Sequence, residues 1–305
     1  MNPGNFLMIS DLGETLPKVL SDAATLKLDR MQRRDALLGQ SIGIFFEHPS
    51  TRTRIASEVA VAELGAHPVT LRGEEVGIGK REDPADVARV LSRYVTLVAM
   101  RVRSHETLRS IAQYATVPVV NLLSDRSHPC QALADLQTIA EHRSLPGTRL
   151  AYVGDGNNVA HSLLLGAAMT GMHITIAVPD DFRPAPDILQ SASRLAAEHD
   201  GEIALTNDPR AAADGADVVY TDVWTSMGLE EERQHRLSAF AGYEVTEEMF
   251  DLADSKAIFM HCLPAHRGEE VAAEMLDHPR SVVFDQAENR LHAFKALILA
   301  LLEKQ

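Results

Sequence analysis

Two cysteines and one tryptophan are all that the 305 residues carry of those types, and aromatic residues make up only 5%. Two thiols cannot staple a chain of this length, so no disulfide framework is expected and a reducing compartment fits. Positive charge is scarce as well: 29 lysines and arginines face 43 aspartates and glutamates, a formal net charge of -14. Such a chain lacks the basic footprint of a nucleic-acid binder, so no nucleic acid is expected as a partner. Long apolar runs are missing too. None approaches the ~20 residues that a transmembrane helix needs, so no membrane span is expected. The opening MNPGNFLMISDLGE has neither a basic n-region nor a sustained apolar core. No secretory signal is expected there, and the cytoplasm is the expected location.

What is present looks globular: 45% apolar and 24% charged residues, ordinary values for a folded soluble chain. The length exceeds one ordinary core and predicts two domains. SIGIFF (41–46) reads as a buried strand and STRTRIASEVAVAELGA (50–66) as a helix ending at a glycine. TLVAMRV (96–102) and VPVVNLL (117–123) are further strand-like runs. The helix-like QALADLQTIAEHR (131–143) is followed by LPGT (145–148), a punctuation point suited to a domain crossing. Then come RLAYVG, a helix, HITIAV, ADVVYTDV, KAIFMHCL and SVVFDQ. There is no repeat period and no low-complexity segment. Strands alternating with helices predict an α/β fold of two domains, each a parallel sheet flanked by helices. The last stretch, NRLHAFKALILALL, places Leu291, Phe294, Leu297, Ile298, Leu301 and Leu302 on one face of a terminal docking helix.

Against the acidic background, FFEHPSTRTR (45–54) gathers hydroxyls and arginines at one turn. With a strand ending near Phe46, Pro49 precedes the turn and Ser50 is the expected N-cap of the next helix. The first backbone N–H groups of that helix lack intrahelical partners, and the dipole adds partial positive charge, which together suit an anion. Arg52 would offer a planar fork to phosphate oxygens. Arg54, two residues on, leaves the helix on nearly the opposite side and is expected to tie the turn to a neighbouring acid. Alone, the motif reads equally well as a capped helix with solvated arginines.

Other anion-seeking residues recur at predicted strand ends, where ligands of open α/β sheets collect. They are Arg101 in LVAMRV, His128 and Gln131 in SHPCQALAD, and Arg290 in ENR. LAYVGDGNNVAHSLLLG (150–166) gives strand, glycine turn and helix, but it lacks the third glycine of a dinucleotide fingerprint, which weakens an oxidoreductase reading. Asn157 and Asn158 could hold a carboxylate or amine there, or simply serve the turn. Asp222 follows a β-rich run and could hold an ammonium; Ser226 and the S-M-G turn suit a binding loop. His261, Cys262, His266, His128 and Cys130 show no metal-ligand spacing, so no metal is expected. Cys262 is either a perturbed thiol at a strand end or a small hydrophobe.

In order, S-T-R-T-R (50–54), the strand-end Arg101, H-P-C-Q-A-L-A-D (128–135), D-G-N-N (155–158), D-V-W-T-S-M-G (222–228) and H-C-L-P (261–264) resemble the ornithine carbamoyltransferases. That family lies within the aspartate/ornithine carbamoyltransferase superfamily, and the likeness runs from residue 50 to residue 290. The resemblance implies transfer of a carbamoyl group from carbamoyl phosphate to L-ornithine, with neither cofactor nor metal. It implies a carbamoyl-phosphate domain over 1–143 and 286–305, and an ornithine domain over 144–285. Ser50, Thr51, Arg52 and Thr53 match residues that cradle phosphate; Arg101, His128 and Gln131 match those on the carbamoyl group, and Arg290 completes that site. Asn158, Asp222, Ser226 and Met227 match the ornithine contacts, and Cys262 and Leu263 lie where the two ligands meet. Arg101, His128 and Cys262 are the catalytic residues so implied. The resemblance also implies a homo-oligomer, a trimer or a multiple of one. One departure stands out: aligned back from Asp86, Gly77 in GEEVGIGKRED takes the place of a glutamine that many members lend to a neighbouring subunit's carbamoyl phosphate. Phe294, where a polar residue is common, is a milder one. Alternative readings are a transcarbamylase for putrescine or an N-acylated ornithine, and a non-catalytic metabolite-binding paralogue.

Overall fold

The computed structural model describes residues 4–225 and 232–303. The chain divides into two compact units, residues 1–137 with 288–305, and residues 138–287. After helix α1 (Leu16–Leu28), the first unit carries strands β1 (Ser41–Phe46), β2 (His67–Arg72), β3 (Leu97–Arg101) and β4 (Val119–Leu123). They form one sheet in the order β2-β1-β3-β4, and every pairing is parallel. Parallel strands need crossovers, supplied here by helices α2 (Thr51–Glu63), α3 (Gly73–Val76), α4 (Pro84–Tyr94) and α5 (His105–Tyr114). With helices on both faces, β3 is buried along its whole length, which is why LVAMR is continuously apolar up to its terminal arginine. β2 lies at the sheet's edge and is only partly buried, so HPVTLR carries too weak an apolar signal to be read as a strand from sequence.

α6 (Pro129–His142) leads into the second unit. There β5 (Arg149–Val153), β6 (His173–Ala177), β7 (Glu202–Thr206), β8 (Val218–Thr221) and β9 (Ile258–His261) form a second parallel sheet, ordered β7-β6-β5-β8-β9. Helices α7 (Asn158–Met169), α8 (Pro186–Glu198), α9 (Pro209–Ala213), α10 (Arg233–Ala239) and α11 (Glu247–Phe250) complete that unit. Its core includes Trp224 stacked on Phe240 at 5.4 Å between ring centroids. The edge strand β7 is again poorly buried and again lacks a clear signal. SVVFDQ is not the strand its apolar run predicts. Ser281 makes one isolated bridge to Phe259, and helix α12 (Val283–Leu302) begins two residues later. The long run of helix-forming residues after Asp285 overrides the local β preference of the two valines.

Both sheets reverse direction of growth at one point. In the first this falls between β1 and β3, in the second between β5 and β8. Loops leaving the carboxyl ends of such strand pairs splay apart and open a crevice, the standard place for a ligand in an open α/β sheet. E-H-P-S-T-R-T-R (47–54) follows β1 and Arg101 ends β3; D-G-N-N follows β5 and Asp222 follows β8. No helix among the described residues is long and apolar enough to cross a membrane.

Helix α12 differs from the one-faced helix its pattern predicts: residues 289–299 are buried all round, Lys295 included, and Leu302 is only half-buried. A fully buried ammonium needs partners. Lys295 Nζ donates to the Arg30 carbonyl and lies 3.1 Å from Glu63 Oε2, and Glu63 is also held by Arg30 at 2.6 Å. The last turn of α2 is thereby fastened to α12. Glu63→Ala would leave the Lys295 ammonium buried without its counter-charge, and urea unfolding should show a loss of about 3–5 kcal/mol. Lys295→Met, which removes the charge and keeps the volume while Glu63 retains Arg30, should cost clearly less.

Candidate functional site

In the first unit the predicted anion residues converge. Ser50 is the N-cap of α2 in position only: its backbone is extended, and its side chain makes no capping bond. The sequence expectation of a serine cap is therefore corrected, and the amides of the first turn keep their outward direction. Thr51 and Arg52 are exposed on that turn, whereas Thr53 is buried. Arg54 pairs with Glu58 at 3.0 Å, one turn along the helix. Arg290 Nη2 donates to Thr53 Oγ1 at 3.4 Å and Nη1 to Gln131 Oε1 at 2.5 Å. Gln131 Nε2 in turn donates to Asp135 Oδ1 at 2.8 Å, which fixes the amide's orientation and leaves its oxygen to the arginine. Arg101 closes β3 beside Phe46, the last residue of β1. A register shift between Met100 and Arg101 re-aims the side chain at the strand end.

His128 stands between β4 and α6 and is buried. Burial, and after it the charges of Arg290 and Arg101, push its imidazole well below the usual value. The ring is thus neutral at physiological pH and carries one N–H. Its loop is held by residues that carried no functional signal in the sequence. Asn121 Nδ2 donates to Leu7 O at 2.9 Å and Ser124 Oγ at 3.1 Å, and Ser124 N donates to Ser127 O at 2.9 Å. Cys130 is different in kind: burial raises its thiol to about 12, and it donates to Asn121 O at 3.3 Å. It is an inert core thiol.

Gly77 ends the four-residue helix α3 with φ 68°. A Cβ there would come within 2.9 Å of Arg81 Cβ, so this backbone is built for glycine and a glutamine would be strained in it. Position 77 contributes no side chain to any ligand.

In the second unit, Asn157 caps α7, its Oδ1 accepting from Val159 N at 2.8 Å and Ala160 N at 3.2 Å. The amides that a dinucleotide pyrophosphate would use are therefore already taken. The other end of the same side chain donates to Asp222 Oδ2 at 2.9 Å. Asp222 Oδ1 accepts from Cys262 Sγ at 2.9 Å and from Val223 N at 2.8 Å. Asn158 opens α7 one residue after the cap, at the same end of the sheet. Leu263 adopts φ 56°, a conformation that costs a non-glycine residue about 1 kcal/mol. Its N–H points at His261 Nδ1, 2.9 Å away. That bond places the imidazole proton on Nε2, which faces Glu270 Oε1 at 3.1 Å. Ser226 and Met227 lie outside the described residues.

Among the described residues, two groups bring potential metal-binding atoms together, Asp222 with His261 and Cys262, and His266 with Glu269 and Glu270. In the first, both ring nitrogens of His261 are engaged as described. In the second, Glu269 pairs with Arg233, and Glu270 Oε1 takes the backbone N–H of His266 at 2.6 Å.

Two parallel-sheet units, one with a cationic cluster and the other with a carboxylate–thiol–amide group, each at strand carboxyl ends, define a two-domain α/β protein built to hold small polar ligands. Residues 5–141 match the carbamoyl-P binding domain of the aspartate/ornithine carbamoyltransferase family, and residues 146–301 match its Asp/Orn binding domain. The chain belongs to that family. It is 52% identical to an ornithine carbamoyltransferase of Acidothermus cellulolyticus, over 93% of this chain and 92% of that one. It is 49% identical, end to end, to an ornithine carbamoyltransferase of Mycolicibacterium paratuberculosis. The solved structure of an ornithine carbamoyltransferase from Pyrococcus furiosus superposes with a TM-score of 0.94 at 44% identity, over 97% of this chain and 96% of that one.

The neutral state of His128 has a consequence for stability. A histidine whose folded pKa lies below its unfolded value of ~6.5 contributes stability above that pH, and the contribution is lost as pH falls below it. The melting temperature should drop between pH 7 and pH 5, and His128→Gln should drop less over the same window. Equal slopes in the two proteins would contradict the buried, neutral assignment. His105 and His292, which burial also lowers, are present in both and cancel.

Proposed function

We propose that this protein is an ornithine carbamoyltransferase, which transfers the carbamoyl group of carbamoyl phosphate to the δ-amine of L-ornithine and releases L-citrulline and phosphate. The observation that carries this reading is the cluster of Arg290, Arg101, neutral His128, Gln131 and Thr53 beside the uncapped start of α2. The full-length likeness to ornithine carbamoyltransferases at about half identity supports it and favours ornithine over putrescine or an N-acylated ornithine. The first unit binds carbamoyl phosphate and the second binds ornithine. Ser50, Thr51, Arg52 and Thr53 hold the phosphate through helix amides, hydroxyls and a guanidinium fork. Arg101, His128, Gln131 and Arg290 hold the carbamoyl group, and Cys262 and Leu263 adjoin it. Asn158, Asp222, Ser226 and Met227 hold the amino acid.

The reaction is a direct acyl-type transfer. The neutral δ-amine attacks the carbamoyl carbon, a C–N bond forms, and the carbonyl oxygen gains charge in a tetrahedral intermediate. The C–O bond to phosphate then breaks, the electron pair leaves with phosphate, and the nitrogen gives up a proton. Arg101, the N–H of His128 and the hydroxyl of Thr53 stabilise the oxyanion, each such donor being worth about 3 kcal/mol. A neutral His128 suits this role, because it donates without drawing off a further anion. Arg52 and the α2 amides stabilise the departing phosphate. No covalent enzyme intermediate is needed. The protein works in the cytoplasm, in keeping with two free thiols, as a homotrimer or a multiple of one.

Purified protein supplied with carbamoyl phosphate and a panel of amines should form citrulline from ornithine, with putrescine and N-acetylornithine turned over at least about tenfold less well. Product mass reads the outcome, and a preferred acceptor other than ornithine would replace the substrate assignment. Arg52→Ala should lower kcat/KM by about 100-fold or more, with folding unchanged because its side chain is exposed.

A further inference from the structure

One buried guanidinium in the second unit belongs to none of the motifs above. Arg236, on α10, directs Nη1 at Asp155 Oδ2 (2.6 Å) and at the Trp224 carbonyl (2.9 Å). Its Nε reaches Glu232 Oε2 at 3.1 Å, and its Cζ lies 4.9 Å from the centre of the Phe182 ring. Asp155 sits in the loop after β5, three residues before Asn158. Trp224 sits in the loop after β8, two residues beyond Asp222. A single nitrogen therefore cross-links the two loops that flank the sheet's switch point.

The β5 loop is also held from the β6 side. Phe182 O, in the turn after β6, accepts from Gly156 N at 2.9 Å, and a Cβ on Gly156 would meet that oxygen at 2.4 Å, so the backbones touch there. Asn157 joins the β5 and β8 loops a second time through Asp222. Buried ion pairs are weak contributors to stability, because desolvation offsets their attraction. What Arg236 supplies here, that an apolar side chain of equal size would not, is a fixed distance between the loops.

We propose that Arg236 is a positioning residue for the amino-acid substrate: by bridging Asp155 and the Trp224 carbonyl it sets the separation between Asn158 and Asp222. This rests on the ornithine assignment made above. The charged groups facing Asp155 are Arg236, Asp222 and Glu232, and burial raises its carboxyl to about 6 against the pull of Arg236. Without Arg236 the carboxyl rises further and takes a proton nearer neutrality, so the bridge and its charge disappear together.

The test is steady-state kinetics on the full-length protein and on Arg236→Met, Arg236→Lys and Asp155→Asn, with each substrate varied in turn. In Arg236→Met the ornithine KM should rise on the order of tenfold or more, as expected for displaced substrate contacts, while the carbamoyl phosphate KM stays within about twofold. Arg236→Lys, which keeps the charge but loses the fork, should recover part of the loss. A merely structural arginine gives another pattern: kcat falls with the folded fraction, and both KM values stay put. An ornithine KM within about twofold of wild type in a folded Arg236→Met protein overturns the proposal. If that variant does not fold, the Lys and Asn variants decide by the same criterion. Absence of citrulline from the wild-type protein would instead remove the ornithine assignment and this inference with it, an outcome distinct from a change confined to the variants.

Discussion

The Arg290 guanidinium is the interaction on which the first unit's chemistry turns. It comes from the C-terminal helix, far along the chain from β1 and β4, and it donates hydrogen bonds to Thr53 on α2 and Gln131 on α6. Three elements distant in sequence are registered against one another by a single planar group. That register needs α12 held firmly, and Lys295 does so one and a half turns further on through Glu63 and the Arg30 carbonyl. The buried lysine and the buried arginine are parts of one device. One fixes the helix to the base of α2, and the other uses that placement at its start.

The two units treat the start of a helix in opposite ways. α7 is closed by Asn157, whose carbonyl oxygen takes the amides of Val159 and Ala160. α2 carries a serine in the same position and does not use it. A capped start is stable and indifferent to ligands; a start whose cap is withheld keeps its amides and its dipole for an anion. Withholding the cap forgoes about 1 kcal/mol of helix stability. The asparagine at α7 has a second use, since its amide nitrogen holds Asp222.

Charge is placed against the grain in both units. In a chain of net charge -14, Arg290 and Arg101 gather close to His128, which burial first and their charges second keep neutral. Such local concentration favours an anion through short-range contacts rather than long-range steering, which the overall field opposes. In the second unit a thiol, a backbone amide and a side-chain amide all donate to Asp222, and His261 is pinned between the Leu263 amide and Glu270. The two clusters share a logic: side chains at the strand ends have their orientation fixed by hydrogen bonds to their neighbours.

Much of this was legible in the sequence. The buried strands announce themselves as short apolar runs bounded by turns, and the alternation of strands with helices is enough for parallel sheets. The family follows from motifs that run in order along the chain. What could not be read is what depends on distance in space. The edge strands β2 and β7 are half-exposed and lack the apolar signature, while SVVFDQ has that signature and yields to the helix after it. Ser50 has the right residue type for a cap, and only the backbone's course decides that its hydroxyl is not used. Asp155 and Arg236, separated by eighty-one positions, form an ion pair that no local pattern encodes. Residue types and short spacings are set by local physics, so the sequence by itself determined the elements, the motifs and the family. Which side chains meet depends on where the sheets turn their strand ends, and the tertiary structure alone decided it.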